Sequence, residues 1–162
     1  MLERIKFLRK IFSDNQKDQN CEELLKTKLA HLNLSGYTYT PDEAVEELGL
    51  DEELVNQLVD DYVAQIIKSI AQFDEYMQTL QDSRGENLVL DYEPFRELAH
   101  KNLGVARNLR IKDAEKLLYE LMKKDDLEYL MLCLKALREC AIKLRPKCAY
   151  DTLKLIEVKK AL

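Results

Sequence analysis

The sequence predicts an all-α protein: an antiparallel, up-down four-helix bundle with additional helices at its N-terminus and one at its C-terminus. Three observations carry that expectation. Helix breakers are scarce, with only four glycines and three prolines in 162 residues, and each of these residues is costly inside a helix. No run alternates apolar and polar residues between turn signals, as a half-buried strand would. Apolar residues instead recur at helical spacing in segments parted by short polar joints, so that each segment has one stripe to bury.

In chain order, Leu2 to Phe12 is amphipathic, with Leu2, Ile5, Leu8 and Phe12 on one stripe, and is expected to dock on the bundle. Ser13 to Asn20 reads as a polar linker. A helix follows from Glu22 to Leu32, with Gly36 at its exit. Residues 1–40 thus form an N-terminal helical extension, and residues 41–162 the four-helix bundle with its C-terminal helix. Pro41 opens a short helix to Leu48 with Thr40 as N-cap, and Gly49 ends it. Asp51 caps a long helix to about Gln81, aided by a staple between Leu50 and Val55. Its core stripe is Leu54, Leu58, Tyr62, Ile66, Ile70, Phe73, Met77 and Leu80, and Ser83-Arg84-Gly85 forms the turn after it.

Asp91 then caps a helix from Tyr92 to Leu109, with Pro94 tolerated in the first turn. Phe95, Leu98, Asn102, Val105, Ala106 and Leu109 share its core face, and Asn102 there requires hydrogen-bond partners. A helix from Lys112 to Lys124 buries Ala114, Leu117, Leu118 and Leu121. The next, Leu127 to Leu144, buries Leu130, Leu134, Leu137 and Ala141. Pro146 breaks the chain, and a last helix from Tyr150 to Lys160 packs through Leu153 and Ile156.

Composition narrows the function. A formal net charge of −5 opposes a nucleic-acid partner, because phosphate binding needs a concentrated positive surface. No apolar run approaches the roughly 20 residues that span a bilayer. Lys6, Arg9 and Lys10 interrupt any signal-peptide pattern, so a cytoplasmic location is expected. Cys133 and Cys140 are about 10 Å apart along one helix, too far for a bridge. Cys21 and Cys148 form no paired spacing and no C-x-x-C occurs, so buried structural thiols are expected rather than a zinc site or a redox pair.

The residue that stands out is His100. It lies in mid-helix, away from the apolar stripe, among Glu93, Arg96, Glu97, Gly104 and Arg107. Gly104, one turn later, costs about 1 kcal/mol relative to alanine, which suggests that something approaches the imidazole closely. The bland alternative is an ordinary surface histidine beside an incidental glycine. His31 sits in a similar local string, Leu29-Ala30-His31-Leu32-Asn33-Leu34, but Ser35 occupies the position matching Gly104. His31 reads as a helix C-terminal residue, where a partly positive imidazole is favourable.

The stretch Leu98 to Leu109, LAHKNLGVARNL, resembles the signature of histidine-containing phosphotransfer (HPt) domains, with Ala99, His100, Gly104, Ala106 and Leu109 in register. The likeness extends over roughly Thr40 to Arg145 through the order of helices. It departs from the pattern at Asn102 in place of leucine, Leu103 in place of lysine and Arg110 in place of glycine. The resemblance implies a phosphocarrier without autonomous catalysis in bacterial two-component signalling. His100 would be the phosphoacceptor, supported by Glu97 and by Lys101, Arg96 or Arg107 as substitute cations, with Gly104 giving access. The partner would be a response-regulator receiver domain or hybrid histidine kinase, which itself supplies magnesium, so no cofactor is expected on this chain.

Two alternatives stand beside it. One is a phosphorylation-deficient adaptor that binds a receiver or kinase domain, with Leu103 making a dry contact beside the histidine. The other takes Glu97-x-x-His100 as half of a di-iron carboxylate site. That site needs a second inward-facing copy, and His31 has Lys28 at the matching position.

Overall fold

The computed structural model describes residues 18–161, and all regular structure among them is helical. The α-helices are α1 (Asp18–Lys26), α2 (Asp42–Leu48), α3 (Glu52–Gly85), α4 (Glu93–Asn108), α5 (Lys112–Lys123), α6 (Leu127–Leu144) and α7 (Pro146–Ala161). Among the described residues a 3-10 turn, Ala30–Leu32, follows α1. None of these helices is long and apolar enough to cross a membrane. The amphipathic stretch Leu2 to Phe12 and most of the expected linker lie outside the described residues.

The packing forms a closed ring: α3 lies on α4, α4 on α5, α5 on α6, and α6 back on α3. Inside the ring Phe73 of α3 meets Phe95 of α4, with ring centroids 4.9 Å apart, a tilted contact that suits the aromatic quadrupoles. Ile66, Ile70, Leu117, Leu121, Leu130 and Leu137 fill the same core. Outside the ring, α7 packs on α3 and α6, α1 on α6, and α2 on α3. Leu24, Leu25, Leu29 and Leu34 belong to the same hydrophobic cluster as the ring helices.

Helix ends explain most boundaries. The Asp51 carboxylate accepts the Leu54 N–H at 2.7 Å and starts α3 as expected. The exit of α3 differs from the expected turn at Ser83-Arg84-Gly85. The helix runs through Gly85 and stops where Asn87 takes a left-handed φ of 57°. Leu88 N–H then bonds Ser83 C=O at 2.9 Å and Asn87 N–H bonds Arg84 C=O at 3.1 Å, a Schellman closure using asparagine rather than glycine.

Other corrections follow from local stereochemistry. The expected helix Glu22 to Leu32 is α1 followed by the 3-10 turn. Pro41, not Thr40, occupies the N-cap of α2, and its side chain makes no capping bond. Pro146 begins α7 instead of preceding it, because proline at a first helical position removes only an N–H that would lack an intrahelical partner. At the start of α3 the buried side is Val55, Val59 and Val63, while Leu54 is 44% exposed. On α4 the buried residues are Phe95, Ala99, Asn102, Leu103 and Ala106, whereas Val105, expected in the core, is 39% exposed.

Candidate functional site

His100 projects from the middle of α4 into solvent and has no hydrogen-bond partner among the described residues. Its exposure follows from the helical period. The core stripe passes through Ala99, Asn102, Leu103 and Ala106, leaving Glu93, Arg96, Glu97, His100, Gly104 and Arg107 on the other side. Gly104 is exposed, and a Cβ built on it would meet nothing within 4 Å. No packing among the described residues requires glycine there, so its helix cost leaves an open floor one turn from the imidazole.

The neighbouring charges are arranged unequally. Glu97 is exposed on the preceding turn and makes no hydrogen bond to His100. Arg96 lies over the Tyr92 ring, 5.1 Å from its centroid, and Arg107 pairs with Glu115 of α5 at 3.4 Å. Lys101 is exposed and makes no ion pair among the described residues. It is therefore the unengaged cation nearest His100 in sequence, about 100° around the helix from it. Leu103 corrects the sequence expectation. It is 1% exposed and part of the core, so it makes no surface contact beside the histidine and cannot serve as a docking residue.

The helix beneath the histidine is firmly tied. Asn102 is buried and satisfied, as its position required. Its amide nitrogen donates to Ser69 Oγ at 3.0 Å and to the Leu98 carbonyl at 2.9 Å. Its oxygen accepts from the Ser69 hydroxyl at 3.3 Å. These bonds fix α4 to α3 in one register.

At the far end of α4, Ile111 N–H bonds Ala106 C=O at 3.0 Å and Arg110 N–H bonds Arg107 C=O at 3.1 Å. Arg110 itself takes φ 59°, the conformation glycine would adopt most easily. Tyr39 donates to the Leu109 carbonyl at 2.8 Å and Tyr37 to the Arg110 carbonyl at 3.3 Å. The Arg110 guanidinium also pairs with Glu47. The segment before α2 thereby anchors the C-terminal end of the histidine helix.

His31, 54% exposed in its side chain, lies elsewhere. Its Nε2 is 2.9 Å from the Tyr129 hydroxyl, which donates to Glu120 at 2.6 Å. This chain of bonds ties the 3-10 turn to α5 and α6. Burial and the Glu120 bond push the Tyr129 hydroxyl well above its ordinary value. His31 is thus held by side chains, a contact across 98 positions that local sequence patterns cannot reveal.

The cysteines are all free thiols, but Cys21 and Cys140 are not isolated. They meet across the α1–α6 contact and line a cleft of about 120 Å³ with Asp113, Lys143 and Tyr37. Spacing within the sequence conceals this, because it tests only neighbours on one segment. No group of three or more histidine, cysteine, aspartate or glutamate side chains among the described residues is arranged to hold a metal ion. Comparison with protein-family models, curated proteins and solved structures finds no match to this chain.

Proposed function

We propose that this chain is a histidine phosphotransfer carrier that relays a phosphoryl group through His100 between receiver-domain aspartates or from a kinase. The observation that carries the reading is an exposed imidazole, unpartnered among the described residues, on the outer face of a helix packed into a four-helix ring, with an open Gly104 floor one turn away. The helical order of an HPt-like bundle, α3 through α6, agrees with it.

A neutral imidazole already has one nitrogen lone pair available. That nitrogen attacks the phosphorus of an aspartyl phosphate; the N–P bond forms as the O–P bond breaks, and the aspartate leaves as carboxylate. The reverse step passes the group onward. The chain's contribution is position: Ser69 and Asn102 hold α4, and α4 holds His100 for in-line approach. Magnesium belongs to the receiver domain, where it offsets the charge of the transferred group. Among the described residues, Lys101 is the unpaired cation nearest His100 in sequence, and it serves as the cation for the transferred group. A cytoplasmic setting within two-component signalling goes with this role.

The adaptor reading draws support from the engaged guanidiniums, since Arg107 is paired with Glu115 and Arg96 lies on Tyr92. In that reading the same face binds a receiver domain without accepting phosphate. Incubating wild type and His100→Gln with phosphorylated receiver domains separates the two. Acid-labile label on wild type alone supports the carrier, whereas receiver binding without label supports the adaptor.

A further inference from the structure

We propose that Cys21 and Cys140 form a peroxide-responsive thiol pair, Cys21 as the attacking sulfur and Cys140 as the resolving one, which closes a disulfide between α1 and α6. Several observations place the chemistry there. The two thiols line one cleft and interact electrostatically with each other, and Cys140 interacts with Asp113 in the same cleft. They share a cleft with Lys143 and Asp113, and Cys21 is only half-buried, which gives a small oxidant access. The Cys140 contact holds the Cys21 thiol below its ordinary value against burial and the Glu139 and Glu22 charges, with the Lys143 charge adding a smaller lowering. The Cys140 thiol is pushed well up by the same contact and by burial. The neighbours distinguish the roles: the Lys143 cation bears on Cys21, whereas the Asp113 carboxylate contacts Cys140, and the thiolate is the nucleophile.

The oxidant is a hydroperoxide, represented by hydrogen peroxide. The Cys21 thiolate sulfur attacks one peroxide oxygen; the S–O bond forms, the O–O bond breaks, and the departing hydroxide takes up a proton to become water. Cys21 is then a sulfenic acid. The Cys140 sulfur next attacks the Cys21 sulfur. The S–S bond forms and the S–O bond breaks; the Cys140 proton passes to the adjacent Asp113 carboxylate and from it to the departing hydroxide, which leaves as water. Two thiols lose two electrons in total, and one peroxide is reduced to two waters.

The other thiols provide internal comparison. Cys133 is fully buried in the core. The Cys148 thiol donates to the Asp60 carbonyl at 3.2 Å and faces no second cysteine.

The test uses the reduced full chain with one equivalent of hydrogen peroxide, followed by alkylation, proteolysis and mass spectrometry. The expected product is a peptide pair joined through Cys21 and Cys140, with Cys133 and Cys148 alkylated. In Cys140→Ser, a cyclic 1,3-diketone traps sulfenic acid at Cys21. In Cys21→Ser, Cys140 stays reduced. Oxidation of Cys133 or Cys148 at a rate equal to Cys21, or folded wild type that consumes peroxide without forming the cross-link, overturns the proposal. Because wild type alone gives the deciding map, poor folding of either variant leaves the test intact.

Discussion

Replacing Gly104 by alanine should make the protein more stable and a poorer phosphoryl carrier. The backbone there is helical, and the added methyl group meets no atom within 4 Å. The change therefore recovers the helix-propensity difference of about 0.8–1.0 kcal/mol. For a domain of this size that corresponds to a rise in Tm of roughly 2–4 °C. The methyl also stands on the face of His100, one turn away, where the closest approach of a receiver domain is expected. A displacement of about 1 Å at a reacting centre can cost on the order of a hundredfold in rate. Label transfer from a phosphorylated receiver should accordingly fall at least severalfold, while labelling by phosphoramidate, which needs little room, should stay near wild type. Thermal melts and both labelling assays on one preparation decide the matter. Lower stability would refute the packing argument, and receiver-dependent transfer equal to wild type would refute the role given to glycine.

Three further experiments test the frame of the fold. Ser69→Ala removes the donor to the buried Asn102 oxygen and should cost about 1–3 kcal/mol in urea denaturation, with much of the loss recovered in the Ser69→Ala, Asn102→Leu pair. Arg110→Gly relieves a left-handed backbone at φ 59° worth about 1–2 kcal/mol and gives up an exposed ion pair with Glu47 worth at most about 1 kcal/mol. Its thermal midpoint should be unchanged or higher. Burial lifts the Asp74 carboxyl from 3.8 to about 6, opposed in part by Arg138 and Lys160. Because the folded value is raised, the protonated form is favoured in the fold, and stability declines as pH rises from about 4 through 6. Asp74→Asn should match wild type near pH 4 and be more stable above pH 6, by up to about 3 kcal/mol; a constant difference across that range would contradict the assignment.

The sequence made the helices legible because their stripes are strong and their breakers few. The range Leu127–Leu144 is as expected, and Asn102 was recognisable as a buried amide in need of partners. Errors arose where two registers looked alike. On α4 the choice between Val105 and Leu103 as the buried residue turns on a rotation of about 60° around the helix, which a short motif does not fix. That rotation removed Leu103 from the surface and weakened the dry-contact argument for an adaptor. Chain reversals were misjudged when Asn87 replaced the glycine usual in a left-handed cap. The Tyr37 and Tyr39 anchors, the His31–Tyr129–Glu120 chain and the Cys21–Cys140 pair all join positions distant in sequence. Periodicity carries no signal for such contacts.

The most direct test of the central claim is transfer of acid-labile label from phosphorylated receiver domains to wild type and to His100→Gln, with circular dichroism confirming that both are folded. The phosphocarrier account predicts label on wild type and none on His100→Gln. Equal labelling of both proteins, or none on either while receiver binding persists, would contradict it.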